Sequence, residues 1–254
     1  MSLSIRSVVP CAAGVLALGL VGCATPAPIV RLNPDSANVF WVSGRPSVAM
    51  DNAGVRVAAA FEHQDGGNLS LRVEVLNQTP TRLEIGPQDI TFAVCKSQLT
   101  TSCLPSQHVI DPEQMLNSLD VAQSRNTAEA ANTAALDGTL TILAAVGDVS
   151  SHHGGGDTAV AVDNMQANAA SYDSAQAGIT FQQRLWANKA LRRNTLDPGQ
   201  GTSGLVFVPI YMQAGFVWLQ VTVAGHVFPF HFAQTVTQVT MPAPPTTPSN
   251  IGPN

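Results

Sequence analysis

The chain has 254 residues, with 12 Lys+Arg against 17 Asp+Glu and a net charge of -5. Charged residues make up 11% and hydrophobic residues 45%, where an average soluble domain carries roughly 25% charge at a similar hydrophobic share. The hydrophobic share excludes a disordered chain, and the charge balance argues against a nucleic-acid binder, which would carry basic patches.

The chain opens MSLSIRSVVPCAAGVLALGLVGC. Arg6 supplies a positive start, and Val8 to Val21 an apolar stretch. That stretch is about 14 residues, too short for the ~20 of a membrane-spanning helix, and it fits the core of a secretory signal. It ends in Leu20-Val21-Gly22-Cys23, which resembles the lipobox of bacterial lipoproteins. The resemblance covers residues 1–23. It implies cleavage before Cys23, a diacylglycerol on its thiol, and a membrane partner in the bacterial cell envelope. Ala24 rather than Asp at the next position implies the outer membrane, with the body facing the periplasm. The rival reading is an ordinary secretory signal with a stray Cys. Residues 23–50 read as the lipidated Cys and an extended tether, since Pro26, Pro28 and Pro34 stiffen its first part.

Two cysteines remain in the body, Cys95 and Cys103, flanking the polar stretch Lys96 to Ser102. An oxidising compartment lets them pair, and a disulfide is expected. A metal pair or a catalytic thiol would need a His or Cys partner at ligand spacing, and none is near.

Residues 51–111 read as the first part of a β-sandwich. Val55 to Phe61 alternates loosely, and Asp65 to Asn68 supplies turn residues. Leu69, Leu71, Val73 and Val75 alternate with Ser70, Arg72 and Glu74, so one face is buried and the other wet. Leu83 with Ile85, then Ile90 to Cys95, then Gln107 to Ile110 give further short strands. The period changes at Asp111-Pro112-Glu113-Gln114, where Asp111 can cap a helix, Pro112 fits its first position and Gln114 can complete a capping box.

Residues 112–194 read as an Ala-rich helical hairpin or bundle. Leu136, Leu140, Leu143 and Val146 are expected on one side, Gly138 as a possible interruption, and Ser150 to Asp157 as a loop. Phe181, Leu185, Trp186 and Ala190 are expected to form one apolar stripe. Residues 195–240 return to strands, with Phe228, Phe230 and Phe232 sharing a face. Pro209 and Pro229 lack N–H donors and are expected at edges or bulges. Residues 241–254 read as a disordered Pro-rich tail.

The expected fold is therefore mainly β: an Ig-like β-sandwich of about seven strands, interrupted by the helices. The spans RVEVLNQTPTRLEIGPQDITF and NTLDPGQGTSGLVFVP resemble the Ig-like domains of uncharacterised bacterial lipoproteins. In those, a strand ends at an Asn, a short turn follows, and Pro-x-Asp opens the next strand. Asn77, Pro80 and Pro87-Gln88-Asp89 stand in those places. The resemblance implies no catalytic residue.

The search for chemistry is sparse. Gly199, Gly201 and Gly204 spell G-x-G-x-x-G, but they open a strand rather than a helix, so no helix terminus cradles a phosphate. No nucleophile–base–orienter set is visible, and no cofactor is expected. His152 and His153, with Asp148, Asp157 and Asp163 nearby, could suit zinc or nickel. Against that, a loop with three glycines is costly to order. His226 and His231 fall on opposite faces of a strand, and His63 reads as surface. Trp41 and Trp218 read as core or rim aromatics. The leading expectation is a lipid-anchored, non-enzymatic module that contacts other envelope proteins. The alternative is a metal- or small-ligand-binding lipoprotein centred on His152 and His153.

Overall fold

Two antiparallel sheets close over one apolar core, and a pair of long helices interrupts the second half. The computed structural model describes residues 27–151 and 156–239, and the body spans Ile29–Thr237. Its strands are β1 (Ile29–Pro34), β2 (Val39–Val42), β3 (Arg45–Asn52), β4 (Val55–Asp65), β5 (Asn68–Asn77), β6 (Leu83–Ile85), β7 (Ile90–Cys95) and β8 (Gln107–His108). After helices α1 (Pro112–Ser151) and α2 (Gly156–Lys189) come β9 (Asn194–Leu196), β10 (Gly201–Pro209), β11 (Phe216–Val223) and β12 (His226–Thr237).

The first sheet runs β10-β5-β4-β3-β2 and the second β1-β12-β11-β7-β8, with β6 and β9 paired apart. Three strands of each, β4-β5-β10 and β7-β11-β12, carry the framework. β5 lies between β4 and β10, and β11 between β7 and β12. That is the A-B-E and C-F-G order of an Ig sandwich, with the helices entering where its D strand would lie. The sequence reading placed β4, β5 and β7 here and returned to strands over 195–240, where β10, β11 and β12 lie.

The period-2 pattern explains the core. Leu69, Leu71, Val73 and Val75 point inward from β5 and are buried. Opposite them, three rows cross the second sheet: Val94–Val217–Phe232, Phe92–Leu219–Phe230 and Ile90–Val221–Phe228. All nine side chains are buried in the same cluster as the β5 set. Burying an aromatic or branched side chain contributes about 1.5–3 kcal/mol each, so these rows dominate the stability of the sandwich.

Both prolines sit where a donor is dispensable. Pro209 is the last residue of edge strand β10, opposite Asn68. Pro229 lies in an inner strand, but β1 covers only Phe232 to Thr237 of β12. His231 turns its carbonyl to that side, accepting from the Asp35 N–H at 2.8 Å. Pro229, two residues earlier, has the same orientation, so its missing donor faces the uncovered part of the edge.

Three expectations need correction. Residues 29–50 are not a tether: β1, β2 and most of β3 lie there. Val30, Leu32 and Val48 are buried, so this segment belongs to the core, and prolines at its margins do not prevent pairing. The count of about seven strands was low: β6 and β8 were read as short strands, but β1, β2, β3 and β9 were not. The segment Ser150 to Asp157 is not all loop, since α1 runs through Ser151 and α2 begins at Gly156. Gly138 lies within α1 without breaking it. The tail beyond 239 lies outside the described residues.

Candidate functional site

The helical pair is the largest departure from a plain sandwich. Asp111 starts α1 as expected: its carboxylate accepts from the Glu113 N–H at 2.9 Å and its carbonyl from the Met115 N–H at 3.1 Å. At 1.5 Å per residue, 40 and 34 residues give helices of about 60 and about 50 Å. Among the described residues, it is their roots that pack on the sandwich. Trp186, 2% exposed, meets Phe207 of β10 with ring centroids 4.0 Å apart. Leu205 completes this small cluster, with Met115, Leu116, Leu119 and Leu185 packed around it.

The same root closes the edge of β10. The Ile110 N–H donates to the Phe207 carbonyl at 3.0 Å and the Leu191 N–H to the Leu205 carbonyl at 2.8 Å. An otherwise open strand edge is thereby covered by the chain entering and leaving the helices. Gly204 makes that approach possible, because a Cβ there would fall 2.5 Å from the Leu191 Cα. Gly201 lies close to the Val75 carbonyl, where a Cβ would stand 3.2 Å away. The G-x-G-x-x-G spacing thus has a packing origin at two of its positions. Gly199 answers a turn, with φ of 79°.

Above the root, the two helices meet through a polar seam. Half-buried positions on α1 include Leu116, Leu119, Gln123, Asn126, Ala130, Thr133 and Asp137. Their alternating spacing of three and four is a heptad rhythm. Across the seam, Gln183 donates to Asp120 and Gln123 at 2.8 Å each. Asn126 reaches the Tyr172 carbonyl and Gln176, both at 3.3 Å. The Thr133 and Tyr172 hydroxyls lie 3.0 Å apart, and Asn168 donates to Asp137 at 3.0 Å. These pairs fix an antiparallel register. The expected apolar stripe is only partly present. Trp186 is buried, whereas Phe181 is 63% exposed and Leu136 is also exposed. The side chains of Leu140, Leu143 and Val146 lie outside the described residues. No described helix is long and apolar enough to cross a membrane.

A groove of about 300 Å³ lies on the outer face of the first sheet, floored by Ala58 and Ala60 and walled by Phe40 and Val42. Glu62 crosses it. Its Oε1 forms an ion pair with Arg45 Nη1 at 3.0 Å and accepts from Arg72 Nη2 at 3.1 Å, and its Oε2 accepts from Arg72 Nε at 3.1 Å. The hydrogen bond to Glu62 raises the Arg72 guanidinium above its ordinary value. With both carboxylate oxygens engaged, Glu62 ties β3, β4 and β5 together. On the opposite sheet, Trp218 stacks on His231 at 4.5 Å.

The cysteine expectation holds: Cys95 and Cys103 form a disulfide that closes the loop after β7. Cys23, His152 and His153 lie outside the described residues, as does the signal segment. Among the described residues, no group of three or more His, Cys, Asp or Glu is placed to hold a metal ion.

The sequence reading missed β2. Its four residues, Val39, Phe40, Trp41 and Val42, are all exposed, Trp41 by 71%. Trp41 is therefore not a core residue. β2 is the outermost strand of its sheet, so its far side has no neighbour to cover these side chains. A usable signal was present, namely an uncharged run bounded by Asn38 and the Ser43-Gly44 turn. The chain matches no protein family, no curated protein and no solved structure.

Proposed function

We propose that this protein is a lipid-anchored, non-enzymatic module of the bacterial cell envelope, tethered to the outer membrane through Cys23 and facing the periplasm. The helical pair is its contact element for other envelope proteins. The observation that carries the second statement is the arm itself. Two helices of 40 and 34 residues stand on one small apolar root and meet through a polar seam. Among the described residues, the sandwich gains that root from them and nothing more, so their length serves reach rather than core stability. Support for the anchor comes from Leu20-Val21-Gly22-Cys23 and the apolar stretch before it. With few charges on the chain, recognition rests on shape and apolar contact more than on electrostatic steering.

Two measurements test this reading. Metabolic labelling with an alkyne fatty acid should mark the protein, and Cys23→Ser should abolish the label and release the protein from the membrane fraction. An unlabelled wild-type chain removes the anchor. Photo-crosslinkers placed at Val121 and Phe181, both exposed on the arm, should capture a discrete envelope protein in cells. A crosslinker at Gln220, exposed on the sandwich, should not. Capture from Gln220 alone assigns recognition to the sandwich instead.

A further inference from the structure

We propose that β2 is a second, non-covalent membrane contact, in which Trp41 and its neighbours enter the lipid interface beside the acyl anchor. The inference rests on the lipidated Cys23 proposed above, and three observations lead to it.

The first is chemical. Val39 to Val42 leaves two branched aliphatic and two aromatic side chains exposed, Phe40 and Val42 on the groove side of the strand and Val39 and Trp41 on the other, followed by the uncharged turn Ser43-Gly44. An uncharged apolar edge strand without Lys or Pro is what soluble proteins avoid, because it invites pairing or adsorption. Trp is the side chain best suited to a lipid interface, having a large apolar body and one N–H for the polar layer.

The second is topological. β1 begins at the same end of the sandwich as the β2–β3 turn. The Val30 N–H donates to Gln64 near the end of β4 at 2.7 Å. At that same end of β4, Glu62 holds Arg45, the first residue of β3, at 3.0 Å. Arg45 in turn pairs with Val42. Entry of the chain into the fold and the exposed strand therefore share one end.

The third is reach. Five residues, Ala24 to Pro28, separate Cys23 from the start of β1. Even fully extended, the links from Cys23 to Ile29 span about 20 Å. An acyl group on Cys23 holds the entry end of the sandwich within that distance of the lipid surface. The exposed strand at the same end is then presented to the bilayer at high effective concentration. The chain's own covalent length thus selects the lipid surface over a second copy as the occupant.

The test uses the full chain, produced with Cys23 and as Cys23→Ser, mixed with phosphatidylethanolamine–phosphatidylglycerol vesicles containing brominated lipid. Trp41 emission should be quenched in the Cys23 form. The Trp41→Phe variant, which keeps an aromatic at the site, should lose that quenching while staying in the membrane fraction. In the Cys23→Ser form, Trp41→Ser should weaken vesicle partition about tenfold, as expected for losing one large apolar side chain from the interface. An unacylated Cys23 defeats the anchor while leaving the Cys23→Ser comparison to be read on its own. Trp41 emission indifferent to brominated lipid in both forms overturns the strand's role. So does a dimer in sedimentation that Trp41→Ser dissociates, since β2 would then be covered by a second copy.

Discussion

The sandwich and the arm are built on opposite principles. In the sandwich, rows such as Phe92–Leu219–Phe230 are fully apolar, and their burial provides most of the stability. In the arm, the seam above the root is Gln123, Asn126, Thr133 and Asp137 against Asn168, Tyr172, Gln176 and Gln183. Each such hydrogen bond contributes only about 1 kcal/mol net. Polar seam positions specify register at a cost in stability. The molecule therefore combines a stable body with an arm that holds its alignment through many small terms and its attachment through one small apolar cluster around Trp186 and Phe207.

The contrast predicts a graded set of responses. The largest is expected from Phe230→Ala, which removes a ring from the centre of the core and should lower unfolding stability by about 3–5 kcal/mol in urea titration. A loss below 1 kcal/mol would mean that the sandwich is not the stable part. Next, Cys95→Ser with Cys103→Ser should cost about 2–3 kcal/mol by releasing the closed loop, read as a lower midpoint that wild type reaches only when reduced. Gly204→Ala should follow at about 1–3 kcal/mol. Its Cβ pushes against the Leu191 backbone, so hydrogen exchange should rise at Leu191 and Leu205 before it rises at Leu71. Uniform protection in that variant would show that the root does not depend on the close approach. The smallest effect belongs to the seam. Tyr172→Phe removes the hydroxyl contact with Thr133 and should cost no more than about 1 kcal/mol. That loss should appear as faster exchange in the arm with an unchanged melting temperature for the sandwich. A fall in the sandwich transition would show that the seam is coupled to the sandwich through the root.

Particular residues show why some features were legible and others hidden. Leu69, Leu71, Val73 and Val75 announced β5 because a strand with one wet face writes its burial into the sequence at period two. Asp111-Pro112 announced α1 because a cap is a local bond between neighbours. The arm's seam was invisible as an apolar pattern, since Asn126 and Gln183 look like surface residues until a second helix supplies their partners. β2 was hidden for the opposite reason: its apolar run lies at an edge with nothing over it. Gly204 looked like one more glycine at the opening of a strand, yet its lack of a side chain is required by Leu191, which is near only in three dimensions.

The sequence by itself therefore determined the alternation of strands, the place where helices interrupt them and the cysteine pair. Each of these is a property of neighbouring residues. The tertiary structure decided which strands share a sheet, how the helices register, what covers the edge of β10 and that β2 stands bare beside the chain's entry. Those features depend on partners distant in sequence, and burial or exposure is settled only when such partners arrive.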